Sequence, residues 1–175
     1  MPDPREMIRT IEVLPYDPNW PELYRKESAL LSDIFKDQLI SIHHIGSTAV
    51  PGLCAKPIID IMQVVKDISK IDAFNKEMAA IGYEAIGEYG IPNRRFFFKG
   101  GVNHRTHHVH VYQSGDSEIQ LYLRFRDYLI KNPNEASDYA ALKQDLARRF
   151  PHDIVSYVNG KADLVRAMDL KASSD

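Results

Sequence analysis

Cysteine is almost absent from this chain. A single Cys54 among 175 residues excludes an internal disulfide and a zinc site built from cysteines alone. It fits a reducing compartment. Long apolar runs are missing too. No stretch approaches the ~20 residues that a membrane-spanning helix needs. The first ten residues are polar and carry two prolines, so they offer no apolar segment of the kind a secretion signal requires. The reading is of a cytoplasmic protein with no membrane partner. Charge of one sign is not in excess either. Twenty-two basic residues face twenty-four acidic ones, a net charge of −2, which gives no general pull toward nucleic acid. Nor is there an internal repeat, a low-complexity tract or a linker rich in glycine and serine. A composition 44% hydrophobic and 26% charged supports a real core and excludes disorder. The expectation is one domain over residues 1–175, with 1–10 as a loose leader.

What is present reads as a mixed sheet followed by helices. Ile11-Glu12-Val13 has the character of a short strand. Asp17 or Asn19 can cap a helix that Pro21 opens and that runs to about Phe35, with Leu23, Leu30, Leu31 and Ile34 at helical spacing. Leu39 to Ile45 alternates as a strand does and ends in Gly46-Ser47-Thr48. Pro57 to Val65, the most apolar run, predicts a central strand. A helix over Ile68 to Ile81 is stopped by Gly82. Tyr83 to Tyr89 and Arg94 to Lys99 predict two strands joined by a hairpin-like turn, and His107 to Tyr112 a further strand. From Ser117 to about 171 the pattern is helical: Ile119 to Ile130, Glu135 to Phe150 and Asp153 to Leu170, separated by Pro133 and Pro151.

Four groups of residues could carry chemistry. Gly46, Ser47 and Thr48 form a strand-end turn in which glycine allows close approach to a ligand and a hydroxyl can meet phosphate oxygens. Alone, such a turn is far more often structural. Asp60 sits inside an apolar run, where a carboxylate is costly unless paired, protonated or bound to a metal; Lys56 stands at the entrance to that strand. His104, His107, His108 and His110 crowd one short segment. His108 and His110 share a strand face, where two imidazoles can ligate a metal or polarise a phosphate, while His107 points the other way. Arg94, Arg95, Lys99 and Arg105 form a basic group around Phe96-Phe97-Phe98. Within it Arg95 and Arg105 are the candidates for bidentate phosphate contact. Cys54 reads as a small apolar filler.

Taken together these residues resemble the GrpB family. Val13 to Trp20 resembles its opening. His44-Ile45-Gly46-Ser47-Thr48-Ala49-Val50-Pro51-Gly52-Leu53, with Lys56-Pro57-Ile58-Ile59-Asp60, resembles its central signature. His108 to Val111, Phe125 to Leu129 and Tyr139 to Lys143 match later blocks, so the resemblance runs from about Ile11 to about Arg166. It implies an α+β, nucleotidyltransferase-like fold: a mixed β-sheet with flanking helices and a helical C-terminal part. In that fold a Gly-Ser turn follows the first core strand, an Asp-x-Asp pair lies on the next, and a third carboxylate comes from a neighbouring strand. These carboxylates hold two divalent ions for nucleotidyl transfer. Carried onto this sequence, Gly46-Ser47 is the phosphate turn, and Asp60, separated from Ser47 by twelve residues, is the first carboxylate. The second position holds Met62, a thioether that a hard Mg²⁺ ion would not choose. Near the third stand His108 and His110.

The ordinary three-carboxylate site is therefore absent. In its place Asp60, His108 and His110 form a candidate catalytic and metal-binding set, better suited to Zn²⁺, Mn²⁺ or Fe²⁺ than to Mg²⁺. Gly46, Ser47, Thr48, Lys56, Arg95 and Arg105 are the candidate phosphate contacts. Three functions remain open on this evidence from the sequence. One is metal-dependent transfer or hydrolysis on a nucleotide or phosphorylated metabolite. The second is nucleotide or phosphate binding without chemistry, which Met62 favours. The third is a protein-interaction module with a degenerate site.

Overall fold

Helix α1 (Trp20–Phe35) starts where Asp17 Oδ1 accepts the Asn19 N–H at 2.8 Å and Pro21 fills the first turn. It buries Trp20, Glu27, Leu31 and Phe35 and leaves Leu23 and Leu30 in solvent. The buried stripe is thus rotated from the one leucine spacing predicts, because a charged residue, Glu27, occupies it. Inside, Glu27 Oε1 accepts from the Tyr83 hydroxyl and from Lys99 Nζ, each at 2.8 Å. The computed structural model describes residues 10–174, so nearly all of the expected leader lies outside the described residues.

Five strands follow: β1 (Leu39–Ile45), β2 (Ile59–Val65), β3 (Tyr83–Ala85), β4 (Arg95–Lys99) and β5 (His107–Gln113), in the order β1-β2-β5-β4-β3. The sheet is mixed, since β2 runs parallel to β5 and antiparallel to β1, while β4 is antiparallel to both β3 and β5. Parallel neighbours need a crossover. Here it consists of a 3₁₀ segment Ile68–Phe74, the short helix α2 (Asn75–Ala80) and the β3–β4 hairpin. Two strand expectations are corrected. Ile11 to Val13 forms no strand; Leu14 makes one bridge to Ala55. Strand β3 ends at Ala85, because Gly87 and Gly90 at positive φ turn the chain out of the ladder. The helix expected over 68–81 is 3₁₀ for its first half.

Both sheet faces are covered. On one, Ile59, Ile61, Val65, Val109 and Val111 pack with Leu31 and Phe35 of α1 and with Met78 of α2. On the other, Met62, Val64 and Tyr112 meet Ile119 of α3 (Ser117–Lys131). Helices α4 (Pro133–Arg149) and α5 (Ile154–Ala172) complete the C-terminal part. Val50 and Leu53, just beyond the β1 turn, pack with Tyr128 and Leu129 of α3, Tyr139 of α4 and Met168 of α5. The α+β architecture with its helical C-terminal part is the one expected. Among the described residues no helix is long and apolar enough to cross a membrane.

Candidate functional site

Strand period 2 puts Asp60 and Met62 on the α3 side of β2, and the parallel register sets Asp60 beside His108 and Met62 beside His110. Met62 is fully buried among Ile45, Val64, Tyr112 and Ile119. The position where the resemblance implies a second carboxylate is part of the core. Asp60 stands at the edge of that core, where a cleft of about 610 Å³ opens between the sheet, α3, α4 and α5.

The close approach of β1's end to Asp60 explains Gly46. Its backbone sits at φ 74, ψ −172, a region that is nearly glycine-only. A Cβ there would lie 2.9 Å from Asp60 Oδ2. Ser47 and Thr48 follow in a 3₁₀ turn, Ser47–Ala49. Thr48 is buried and pairs through Oγ1 with His44 Nε2 at 2.9 Å. His44 stacks on Tyr24 with the ring planes 9° apart. Burial and Arg126 outweigh the attraction of Asp60 and lower the His44 pKa to about 4.

Both predicted histidines reach Asp60. His108 Nδ1 lies 3.4 Å and His110 Nε2 3.3 Å from the same Oδ1. The far nitrogens face guanidinium groups: His108 Nε2 lies 3.4 Å from Arg105, and His110 Nδ1 3.3 Å from Arg94. A guanidinium has only N–H donors. Each imidazole therefore accepts from its arginine and turns its own N–H toward Asp60. Burial and Arg105, against the pull of Asp60, lower the His108 pKa to about 4. For Asp60 burial acts upward, yet the bonds from His108 and His110 prevail and hold its carboxyl well below the usual carboxylate range.

The same geometry bears on the candidate metal set. Asp60, His108 and His110 are brought together, but the imidazole lone pairs a metal would need point at Arg94 and Arg105. Among the described residues no group of three or more His, Cys, Asp or Glu side chains is disposed to hold a metal ion. The donor set does not fit a resident ion.

The predicted phosphate contacts divide. Gly46, Ser47, Thr48 and Lys56 line the cleft with Asp60 and His108. Arg105 does not line it; it is buried, stacks 4.1 Å from the centre of the Phe98 ring and reaches His108. Arg95 is elsewhere: its Nε donates to Asp72 at 2.8 Å, in the 3₁₀ segment after β2. The adjacent Arg94 is buried and bonded to the Glu88 and Tyr89 carbonyls and to His110. His107 points away as expected, toward Glu27 at 3.9 Å. Cys54 is buried, with Sγ 3.7 Å from the Ala140 carbonyl, as a filler would be.

The largest omission is in the helices. Lys143 of α4 is only 2% exposed. Its Nζ lies 2.8 Å from Ser47 Oγ and 2.5 Å from the Cys54 carbonyl oxygen, above the Tyr139 ring. Burial, aided by Lys161 and opposed by Cys54, lowers its pKa to about 7. Lys161 of α5 lies 4.9 Å from the centre of the Tyr157 ring, and Lys56 lies 5.3 Å from the same ring. A signal existed: Ala136, Tyr139, Lys143 and Leu146 are the buried stripe of α4, so a lysine occupies an apolar helical position. Leu121 and Phe125 of α3 and Val158, Ala162 and Val165 of α5 add apolar surface to the cleft, alongside the charged Glu118, Arg166 and Asp169.

Comparison with known proteins agrees with the resemblance read from the sequence. The family model described as "GrpB protein" matches residues 10–171. The chain is 43% identical over 164 residues to the UPF0157 protein YqkA of Bacillus subtilis, covering 94% of this chain and 48% of YqkA. It thus spans about half the length of that relative. It is 35% identical to the UPF0157 protein BH1888 of Halalkalibacterium halodurans, covering 94% of this chain and 84% of that one. The crystal structure of the conserved protein GrpB from Enterococcus faecalis superposes with a TM-score of 0.88 at 41% identity, covering 92% of this chain and 96% of that one.

Proposed function

The chain belongs to the GrpB family, and from that premise we propose that its cleft binds the phosphate groups of a nucleotide or related phosphorylated metabolite through its lysines, without a metal-ligand triad. One observation carries this reading: Lys56 and Lys161 line one cleft with the Gly46-Ser47-Thr48 turn. Both ammonium groups lie over the Tyr157 ring, 5.3 Å and 4.9 Å from its centre. Like charges on one wall repel, and a bound anion relieves that repulsion. Ammonium groups and a hydroxyl are fitting partners for phosphate oxygens. Tyr139, Tyr157 and Phe125 line the same cleft and offer faces on which a nucleobase can stack. Asp60, held ionised, lines the same cleft and repels an anion that approaches it. The imidazoles of His108 and His110 accept from Arg105 and Arg94 and leave no lone pair for a metal.

Thermal unfolding of the full chain tests the reading, with ATP, ADP and pyrophosphate, each with excess chelator and with added Mg²⁺ or Mn²⁺. A ligand at ~100 times its Kd adds ~2.7 kcal/mol, a rise of ~5–10 °C for a domain of this size. The expected rise survives chelator and is lost in Lys56→Gln/Lys161→Gln. No rise with any of the three, or a rise untouched by the double substitution, refutes it.

A further inference from the structure

Lys143 is placed for something other than holding an anion. Its amine sits behind Ser47, nearly sealed from solvent, with two oxygen partners: Ser47 Oγ at 2.8 Å and the Cys54 carbonyl oxygen at 2.5 Å. Among the described residues no carboxylate lies within ion-pair distance of Nζ. As an ammonium, Nζ donates to both oxygens and turns its third N–H to the Tyr139 ring. Once it loses a proton, one N–H still donates to the Cys54 carbonyl, and the lone pair is left in reach of the Ser47 hydroxyl proton. Cys54, Lys161, Tyr139 and Tyr157 are the titratable groups around it, and none supplies a fixed negative charge at neutral pH. Ser47 is half-exposed at the cleft wall.

A hydroxyl within hydrogen-bond reach of an uncharged base, itself oriented by a third group, is the general arrangement of an activated nucleophile, and lysine serves as that base in known variants. We propose that Ser47 and Lys143 form a nucleophile–base pair that cleaves esters or thioesters of small apolar carboxylic acids. The acyl group would lie along Val158, Ala162 and Val165 of α5 and Leu121 and Phe125 of α3. In the first half, Ser47 Oγ bonds to the acyl carbon and its proton passes to Lys143 Nζ. The bond to the alcohol or thiol breaks, and that group leaves with the proton from Nζ. In the second half, water attacks the acyl-serine and gives its proton to Nζ. The carboxylic acid departs, and Ser47 Oγ takes the proton back. This activity goes beyond the phosphate reading and does not rest on it.

The test is labelling of the intact protein by an alkyl fluorophosphonate, in which a serine oxygen displaces fluoride, with the modified residue mapped by mass spectrometry. Stoichiometric labelling at Ser47 is expected, with a rate that rises as pH increases through about 7, where the amine loses its proton. Ser47→Ala removes the label, and Lys143→Met slows it by ~10²-fold or more. Should Lys143→Met fail to fold, the wild-type pH profile decides alone. No labelling, labelling at another residue, or a rate flat from pH 6 to 8 overturns the proposal. Hydrolysis of p-nitrophenyl butyrate, with the same dependence on Ser47, is the accompanying turnover assay; labelling without turnover overturns the esterase step. Melting with nucleotides is read separately, so failure of either reading is visible without the other.

Discussion

Replacing Gly46 with alanine probes the junction on which the whole cleft depends. Two costs add. The backbone at φ 74, ψ −172 is strained for any residue with a Cβ, by ~1–3 kcal/mol. The new methyl would also stand 2.9 Å from Asp60 Oδ2 and 3.3 Å from its Cβ. The carboxylate must then swing away from His108 and His110, whose 3.4 Å and 3.3 Å contacts have little length to spare. Loss of one such bond to a charged group costs ~1.5–3 kcal/mol. Against this, alanine restricts the unfolded chain and returns ~0.4–1 kcal/mol. The expected loss is ~2–4 kcal/mol, or ~5–15 °C in Tm. A double-mutant cycle separates the parts. With Asp60→Ala already present, the carboxylate is gone, and Gly46→Ala should cost only the backbone strain. Urea unfolding of the four proteins gives the coupling, expected to be ~1 kcal/mol or more. Equal costs of Gly46→Ala in the two backgrounds would show that the turn and the carboxylate do not touch, and would refute the reasoning.

Four further outcomes follow from the same geometry. His44 and His108 have folded pKa values of about 4 against ~6.5 unfolded, so the unfolded chain binds more protons between these values; stability is full above pH ~6.5 and falls toward pH 4, and a melting temperature unchanged from pH 7 to 5 would contradict this. Lys143, lowered to about 7, works at the alkaline end: stability should rise from pH 7 toward ~10.5, and Lys143→Met should flatten that rise. Met62→Asp restores the carboxylate implied by the family resemblance, but at a fully buried position; it should destabilise by ~3 kcal/mol or more without creating a Mg²⁺ site, and tight Mg²⁺ binding by calorimetry would disprove this. Arg105→Gln removes a charge that depresses His108, so the His108 pKa, followed by NMR, should rise from about 4.

Much of this was legible in the sequence because it is local. Period 2 over Leu39–Ile45 and His107–Gln113, period 3.6 in the C-terminal part, and Pro133 and Pro151 as stops located most elements to within a few residues. The Gly46-Ser47-Thr48 turn and Asp60 were visible as a polar interruption of apolar strands, and they do share one cleft. Alternation along β5 correctly put His108 and His110 on one face and His107 on the other. Tertiary structure decided what those side chains do, since their protonation and orientation are set by groups far away in the chain. The arginines behind the imidazoles turned a candidate metal triad into a hydrogen-bonded carboxylate. Packing, invisible in composition, set Arg94 against His110 and Arg95 against Asp72. Only helix packing could bring Lys143 to Ser47 across most of the chain, because burial and contact over such a separation are properties of the fold and leave no mark on local spacing.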